Sequence, residues 1–241
     1  MVMKPLASLG VIFLLTVAAA GEDPDALYRQ RENLANASRA AQIWSITAAD
    51  DYEAAWKLAR AAYWIGGHAP EGERRAALER GITAGEAAIR LGPDRPEGHY
   101  WLAADMGALA ESFGLSQGLK YRSRIKSELE RVLAIAPAWE QASAVTALGR
   151  WYSRVPRLFG GSRSKADEHF RRTLQQFPTS ITALLFLAES LTEQHKTAEA
   201  RQLLQQVIDA PIEPEWAPED RDFKRQAAEQ LRALTAGAPK P

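Results

Sequence analysis

Beyond about residue 20, apolar residues recur at intervals of three or four along long segments, and charged residues fill the positions between them. This spacing is typical of amphipathic helices that pack one face against the rest of the fold. No segment alternates Val, Ile or Thr with polar residues over the length of a strand, and prolines fall between the helical segments. The pattern therefore predicts an all-α fold.

The helical segments repeat along the chain. Ala166 and Ala200 are 34 residues apart, and so are Phe170 and Leu204. A period of 34 residues, with a small residue followed by a large apolar one, is typical of tetratricopeptide repeats, in which two antiparallel helices cross closely. Pro178 follows the second helix of one unit, where proline stops a helix.

The same pattern predicts a tetratricopeptide-like solenoid of about four helix pairs over residues 21–235. An extra helix over residues 33–46 precedes the pairs. A charged helix that follows the proline-rich segment 213–220 and ends near Leu234 suits the polar cap that a solenoid needs. Residues 236–241 are expected to form a loose tail.

Residues 1–20 have the layout of a secretory signal peptide. Lys4 precedes an apolar run over residues 6–17, and Ala18, Ala19 and Ala20 are the small residues that a signal peptidase reads. The run is too short to span a membrane as a stable helix, so we expect cleavage before Gly21 and a periplasmic or secreted protein. Retention of the segment as an anchor is the alternative.

Composition and motifs narrow the function classes. After residue 20 the chain has 29 Lys and Arg against 30 Asp and Glu, so no excess of charge attracts nucleic acid. Cysteine is absent, which excludes disulfides, thiolate chemistry and lipid attachment to a cysteine. The four histidines lack metal-ligand spacing, and no complete catalytic motif is present. We therefore predict a protein that is not an enzyme and has no metal or cofactor.

Three corners of the predicted solenoid contain more residues than the minimal repeat. They are residues 66–72, residues 113–118 and the segment between Tyr152 and Ala166, where Pro156 and the Gly160-Gly161 pair interrupt the helical pattern. We expect an enlarged loop at each corner. Insertions in register gather on one edge of a solenoid, which is a common place for binding.

The concave groove of the solenoid is the expected binding surface. Residues three or four apart on the first helix of each pair share its inner face, which predicts that Lys57, Trp64, Tyr100, Arg150 and Arg154 line the groove. Together with Arg157, the two arginines could bind a carboxylate in two-pronged fashion between aromatic walls. The alternative is that the arginines pair with acids of neighbouring helices. Tyr63, Tyr152 and Trp56 are interpreted as packing residues.

Several segments, taken in order, resemble the T component associated with tripartite, substrate-binding-protein-dependent (TRAP) transporters. They are D-D-Y-E-A-A-W-K-L-A-R-A-A-Y, G-H-Y-W-L-A, K-S-E-L-E-R-V-L-A-I-A-P, A-L-G-R-W-Y-S-R-V-P-R-L-F-G-G and P-E-W-A-P-E-D. The middle portion also looks like the tetratricopeptide domain of regulators of microtubule dynamics in eukaryotes. The chain departs from the first family where a lipoprotein cysteine would follow the signal.

The resemblance to the T component implies a periplasmic protein that partners a solute-binding protein of organic-acid uptake and assembles into a small homo-oligomeric ring. It supplies no catalytic residue. The leading hypothesis is therefore a non-enzymatic scaffold whose groove binds a partner protein or a small carboxylate. The alternative is an assembly factor of the cell envelope that acts through its outer face or an oligomer interface.

Overall fold

The computed structural model describes residues 21–236, and within this range the chain forms helices joined by short linkers, without strands. The helices are α1 (Pro24–Arg29), α2 (Leu34–Ser45), α3 (Tyr52–His68), α4 (Glu71–Leu91), α5 (Pro96–Ser112), α6 (Leu115–Ile135), α7 (Trp139–Arg154), α8 (Arg163–Gln176), α9 (Ile181–Glu193), α10 (Thr197–Asp209) and α11 (Ala217–Ala236). Two 3-10 turns, Arg157–Phe159 and Pro214–Trp216, precede α8 and α11. The expected signal peptide and residues 237–241 of the expected tail lie outside the described residues.

Four helix pairs stack in chain order: α3 with α4, α5 with α6, α7 with α8, and α9 with α10. The second helix of each pair also packs on the first helix of the next pair, so that each unit shares its apolar face with its neighbours. The prediction of an all-α helical-repeat solenoid with four pairs is confirmed. The described residues contain no helix that is both long and apolar enough to cross a membrane.

Side-chain caps mark where several helices begin. The Asn33 side chain accepts the Ala35 N–H at 3.1 Å before α2, and the Asp51 side chain accepts the Glu53 N–H at 2.9 Å before α3. Short polar side chains stabilise a helix start in this way because the first N–H groups have no partner within the helix. The expected start of the extra helix at residue 33 is therefore one residue from the observed one.

Small residues allow the helices of a pair to cross closely. Ala166 and Ala200 are fully buried, and so are Phe170 and Leu204, the large residues that follow them. A methyl group added at Gly149 of α7 would overlap the ring of Phe170 in α8. These positions therefore pack at the helix crossings as the repeat pattern predicted, with a small residue beside a large apolar one.

Two helices cover the N-terminal end of the solenoid. Tyr28 of α1 and Trp44 of α2 are buried against α3, and their rings meet edge to face with centroids 5.8 Å apart. The pattern predicted α2 but not α1. The six residues of α1 are too few to show a clear periodicity, so its packing against Trp44 is visible only in the tertiary structure.

Two of the three expected loop enlargements are wrong. Gly66 lies inside α3 and Gly72 inside α4, with a two-residue linker between these helices, and α6 begins at Leu115. The additional residues lengthen the helices instead of the loops, and each linker is only two residues long: Ala69-Pro70, where the backbone is extended, and Phe113-Gly114, where Gly114 adopts φ +89°. The third enlargement is real: Val155 is extended before Pro156, and Gly160 adopts φ +103° at the end of the Arg157–Phe159 turn.

The C-terminal segment returns to the N-terminal helices and forms what we call the clasp. It consists of four contacts: Arg31 with Glu219, Arg60 with Glu215, Glu32 with Arg221, and His68 with Asp222. Arg31 is 1% exposed, and its Nε donates to Glu219 Oε1 at 2.8 Å while its Nη2 donates to Oε2. Because of the clasp, the Pro214–Trp216 turn and α11 face the inner side of the solenoid.

Candidate binding chamber

The inner face of the solenoid and the C-terminal segment line a cavity of about 790 Å³ that is partly open to solvent, which we call the chamber. The first helices of the second, third and fourth pairs each contribute a stripe of residues three or four apart. These stripes are Tyr100, Ala104, Gly107 and Glu111 on α5; Ser143, Ala147, Arg150 and Arg154 on α7; and Thr182, Phe186 and Glu189 on α9. Another such stripe, Trp216, Glu219, Phe223 and Gln226, comes from the C-terminal segment.

Three of the six candidate site residues line the chamber: Tyr100, Arg150 and Arg154. The other three do not. Lys57 bonds Asp25 Oδ2 at 2.8 Å at the N-terminal end, and Arg157 is exposed on the 3-10 turn before α8. The expectation that Trp64 lines the groove is wrong, and the role of Lys57 and the others in binding remains a prediction.

Trp64 is buried at 4% exposure among α1, α2 and α3, where its Nε1 donates to the Arg31 carbonyl at 2.7 Å. Its neighbour Tyr63, interpreted from the sequence as a packing residue, is 38% exposed and lines the chamber instead. Successive residues of a helix differ by about 100° in direction, so a phase error of one residue exchanges the two side chains. The helices α1 and α2 supply the cover that makes Trp64 an interior residue.

The two arginines of α7 are already bound by carboxylates. Glu111 accepts from Arg150 Nε at 3.0 Å and from Nη2 at 2.9 Å, and Glu189 accepts from Arg150 Nη1 and from Arg154 Nη2. Burial alone would lower the pKa of Arg150, but the two glutamates outweigh it and raise that pKa. The two-pronged carboxylate expected for Arg150 is therefore an internal one, which agrees with the alternative of pairing across helices.

Aromatic side chains form one end of the chamber. The ring centroid of Trp101 lies 5.8 Å from that of Tyr63, 5.1 Å from that of Tyr100 and 6.2 Å from that of Trp216. Desolvation beside the other rings and, to a lesser extent, the charge of Glu111 raise the pKa of Tyr63 to about 12, and burial also raises that of Tyr100. We refer to Tyr63, Tyr100, Trp101 and Trp216 as the aromatic end.

Sequence reasoning missed three of these four residues as chamber residues. Tyr100 was found because its position in α5 follows the repeat. Trp216 lies in the P-E-W-A-P-E-D segment, which reads as a connection between helices, and only the clasp brings it onto Trp101. The inner-face stripe of α5 that includes Tyr100 continues in steps of three or four residues to Glu111, the partner of Arg150. Extending the predicted stripe along α5 would therefore have identified Glu111.

The wall of the chamber carries more acids than bases. Six carboxylate side chains line it, from Glu111, Glu140, Glu189, Glu213, Glu219 and Asp220, against the three arginines Arg122, Arg150 and Arg154. Glu111 and Glu189 bind Arg150, and Glu219 binds Arg31 of the clasp. Within residues 21–236, the remaining three acids form no ion pair.

Glu140 and Asp220 are held in surroundings that disfavour their charged forms. Partial removal from water raises the pKa of Glu140, whose side chain remains exposed to solvent on one side. The Trp216 indole opposes this shift, while Glu215 and, more weakly, Glu97 add to it and Arg60 reduces it. Burial also raises the pKa of Asp220, although its Oδ2 accepts the Glu213 N–H at 2.9 Å. Both acids would therefore gain from a positive charge placed beside them.

The described residues show no arrangement that suggests catalysis. They contain no cluster of three His, Asp or Glu side chains able to hold a metal ion. The Ser162 side chain caps α8 by accepting the Lys165 N–H at 3.4 Å.

Solved structures share the fold at low sequence identity. A thermophilic TPR protein of Thermus thermophilus aligns with a TM-score of 0.65 and 20% identity over 87% of this chain and 97% of its own. PilF of Pseudomonas aeruginosa aligns with a TM-score of 0.52 and 16% identity over 89% and 93%. MamA aligns with a TM-score of 0.51 and 17% identity over 86% and 98%. These similarities show the tetratricopeptide fold.

A search of curated protein sequences gave no match to the chain. A family model, described as regulator of microtubule dynamics protein 1-3, matches residues 22–235, which include all four helix pairs, the clasp and the residues that line the chamber. The chain is a tetratricopeptide-type protein and belongs to the family of regulator of microtubule dynamics proteins 1-3.

Proposed function

We propose that the protein is a non-enzymatic binding scaffold that holds a segment of a partner protein, or a small ligand, in the chamber. The observation that carries this proposal is the chamber itself, which has about 790 Å³ and an aromatic wall built from several helix pairs. A cavity of this size, lined by aromatic side chains and a few placed charges, is typical of binding sites. Tetratricopeptide solenoids commonly present such concave surfaces to partners.

We further propose that the protein acts outside the cytoplasm. The support is the signal-like layout of residues 1–20. A solute-binding protein of a TRAP-type transporter is the proposed partner, and a small carboxylate of the kind that such a system transports is the ligand that the sequence resemblance implies. Both rest on the sequence resemblance alone. N-terminal sequencing of the protein isolated from cells tests the location, since a chain that begins at Gly21 is expected.

The chamber is tested by filling it. Gly107 of α5 lines the chamber, and a Cβ added there would contact nothing within 4 Å. Gly107→Trp should therefore occupy the chamber without disturbing the packing of the helices. Gly67→Trp is the matched control, because Gly67 is also helical and also has open space around its Cβ, but it lies outside the chamber wall.

The three proteins are used as tagged bait in the native cell envelope, and co-purified proteins are identified by mass spectrometry. We expect one partner to be recovered with the wild type and with Gly67→Trp and to be lost with Gly107→Trp. Recovery of a solute-binding protein in this pattern would support the transporter link. Equal recovery with all three proteins would show that the chamber is not the binding site.

A second candidate function is assembly through the outer surface, and the insertion before α8 favours it. Leu158 on the Arg157–Phe159 turn is 87% exposed and the adjacent Phe159 is 37% exposed, so this turn presents two neighbouring apolar side chains to solvent. If this turn forms a contact between copies, Leu158→Ser should convert an oligomer into a monomer in native mass spectrometry. A wild-type monomer would end this alternative.

A further inference from the structure

The charge of the chamber wall determines which ligands the chamber can accept. The arginines of α7 are bound to Glu111 and Glu189, so an anionic ligand would have to displace a carboxylate that is already placed in two-pronged geometry. Displacement would break the two bonds between Glu111 and Arg150 or would separate the partly buried Glu189, 20% exposed, from both arginines. Either loss reduces the gain from binding an anion. The arginines therefore stabilise the wall of the chamber and are poorly available to bind a small carboxylate.

The third lining arginine, Arg122, is turned away from the aromatic end. Its Nη1 donates to the Leu119 carbonyl at 2.7 Å, and its guanidinium lies 5.3 Å from the centroid of the Phe159 ring. Arg60 is the cation that lowers the pKa of Glu140, but its Nη1 already donates to Glu215 Oε1 at 3.1 Å. No cation of the described chain therefore neutralises Glu140 directly.

The aromatic end, like Glu140, favours the binding of a cation. The faces of aromatic rings carry partial negative charge and attract ammonium or guanidinium groups, most strongly where water is excluded. The rings of Tyr63, Tyr100 and Trp216 all lie within 6.2 Å of the Trp101 ring, along the wall that also contains Glu140. The acid and the rings thus favour the same sign of charge at the same end of the chamber.

We propose that the chamber selects an organic cation: a ligand whose ammonium group lies between Glu140 and the aromatic end, and whose apolar body fills the rest of the chamber. This inference rests on the proposed function, since it specifies the ligand class of the same site. It replaces the small carboxylate by a ligand of opposite charge.

Three probes with the same aromatic body and different charge test the proposal at pH 7. They are 2-phenylethylammonium, the neutral 2-phenylethanol and the anionic 3-phenylpropionate. Binding is followed by the fluorescence of Trp101, Trp151 and Trp216, which line the chamber, and is checked by calorimetry. We expect the cation to bind about three- to ten-fold more tightly than the alcohol, and the anion to bind most weakly.

Glu140→Gln keeps the shape of the side chain and removes its charge. We expect it to abolish the preference for the cation over the alcohol while leaving the affinity for the alcohol within about two-fold. Glu130→Gln is the matched control, because Glu130 lies on the outer surface of α6, 52% exposed, and is not part of the chamber wall. It should retain the full preference.

The result also separates this inference from the proposed function. If the probes bind, Gly107→Trp blocks them, and the alcohol or the anion binds as well as the cation, the chamber is a binding site and the cation inference is wrong. If Gly107→Trp leaves binding unchanged, the probes bind elsewhere and the inference is overturned. The partner-capture experiment with Gly107→Trp and Gly67→Trp then decides independently whether the chamber has a function.

Discussion

Arg31 in the clasp and Asp105 at the crossing of α4 and α5 are both almost fully buried charged residues, with 1% and 0% exposure. Each guanidinium nitrogen of Arg31 has an acceptor: the Glu219 carboxylate or the carbonyl oxygens of Glu215 and Tyr28. Neither carboxyl oxygen of Asp105 has a hydrogen-bond partner among the described residues. Burial consequently raises the pKa of Asp105 well above its usual value.

The difference shows two ways in which this solenoid accommodates a polar group in its interior. In the clasp, two distant parts of the chain bring opposite charges together, so the cost of removing each from water is offset by the other. At the α4–α5 crossing, a carboxyl group is enclosed by close helix packing and avoids the cost by keeping its proton. The first arrangement should stabilise the fold, whereas the second should weaken it as the pH rises.

The largest expected effect comes from breaking the clasp. Arg31→Met keeps the apolar stem and removes the guanidinium, which leaves the Glu219 carboxylate without its partner, so we expect a loss of about 3 kcal/mol in the free energy of unfolding. Arg221→Met is the matched control, since Arg221 also forms a two-pronged pair across the clasp, with Glu32, but both side chains are about half exposed. Solvent screening should limit its effect to about 0.5 kcal/mol. Urea unfolding at pH 7 measures both, and equal losses would contradict the role of burial.

The next effect concerns the space around Asp105. A methyl group at Gly81 would overlap the Asp105 carboxyl group, so Gly81→Ala should cost about 2 kcal/mol. Gly107→Ala, whose Cβ meets nothing within 4 Å, should instead stabilise α5 by about 0.5–1 kcal/mol. In combination with Asp105→Ala, the cost of Gly81→Ala should fall by at least about 1 kcal/mol. Additive effects in thermal or urea unfolding would show that the two positions do not compete for space.

A smaller effect with the opposite sign is expected for Asp105→Asn. Because the pKa of Asp105 is raised in the folded state, the unfolded chain releases this proton at lower pH than the folded chain does. Stability is therefore lost as the pH rises from the ordinary value of 3.8 to the raised pKa, and the penalty is complete above the latter. We expect the variant to be about 1–2 kcal/mol more stable than the wild type at pH 8, and this gain to vanish near pH 4. A difference that does not change with pH would disprove the assignment.

The smallest effect concerns a buried pair that resembles the clasp. His99 Nδ1 lies 2.6 Å from Glu128 Oε2, and its Nε2 lies 3.0 Å from the Pro93 carbonyl oxygen. Burial alone would lower the pKa of His99, but the bonds to these acceptors and the charge of Glu128 outweigh it and raise that pKa. The stabilisation of the fold by protonated His99 is fully present below the ordinary histidine pKa of 6.5 and is lost as the pH rises through the raised pKa of His99.

For this reason His99→Gln should lower the free energy of unfolding by about 1 kcal/mol at pH 6 and by less at pH 9. Burial would raise the pKa of Glu128, yet His99 and Arg124 lower it, so the contribution of this acid lasts until the pH falls through its lowered pKa. Unfolding measured at several pH values between 5 and 9 tests the trend, and Glu128→Gln should show the same one if the two residues act as a pair.

Much of the fold and part of the chamber could be predicted from local patterns. Ala166 and Phe170, repeated 34 positions later, revealed the helix pairs, and residues three or four apart placed Tyr100, Arg150 and Arg154 on the inner face. Such predictions succeed because helical periodicity depends only on residues close in sequence. They fail where phase matters: a shift of one residue exchanged Tyr63 with Trp64.

The chain by itself determined that helices form, where most of them begin, and that they stack in pairs, because capping residues, small residues and apolar spacing act locally. Only the tertiary structure decided that Trp216 and α11 close the concave side, that Arg31 is bound by Glu219 from the other end of the chain, and that Arg150 is already held by Glu111. These contacts join residues far apart in sequence. Their existence depends on how strongly the solenoid curves, which is a sum over all the helix crossings and is encoded at no single position.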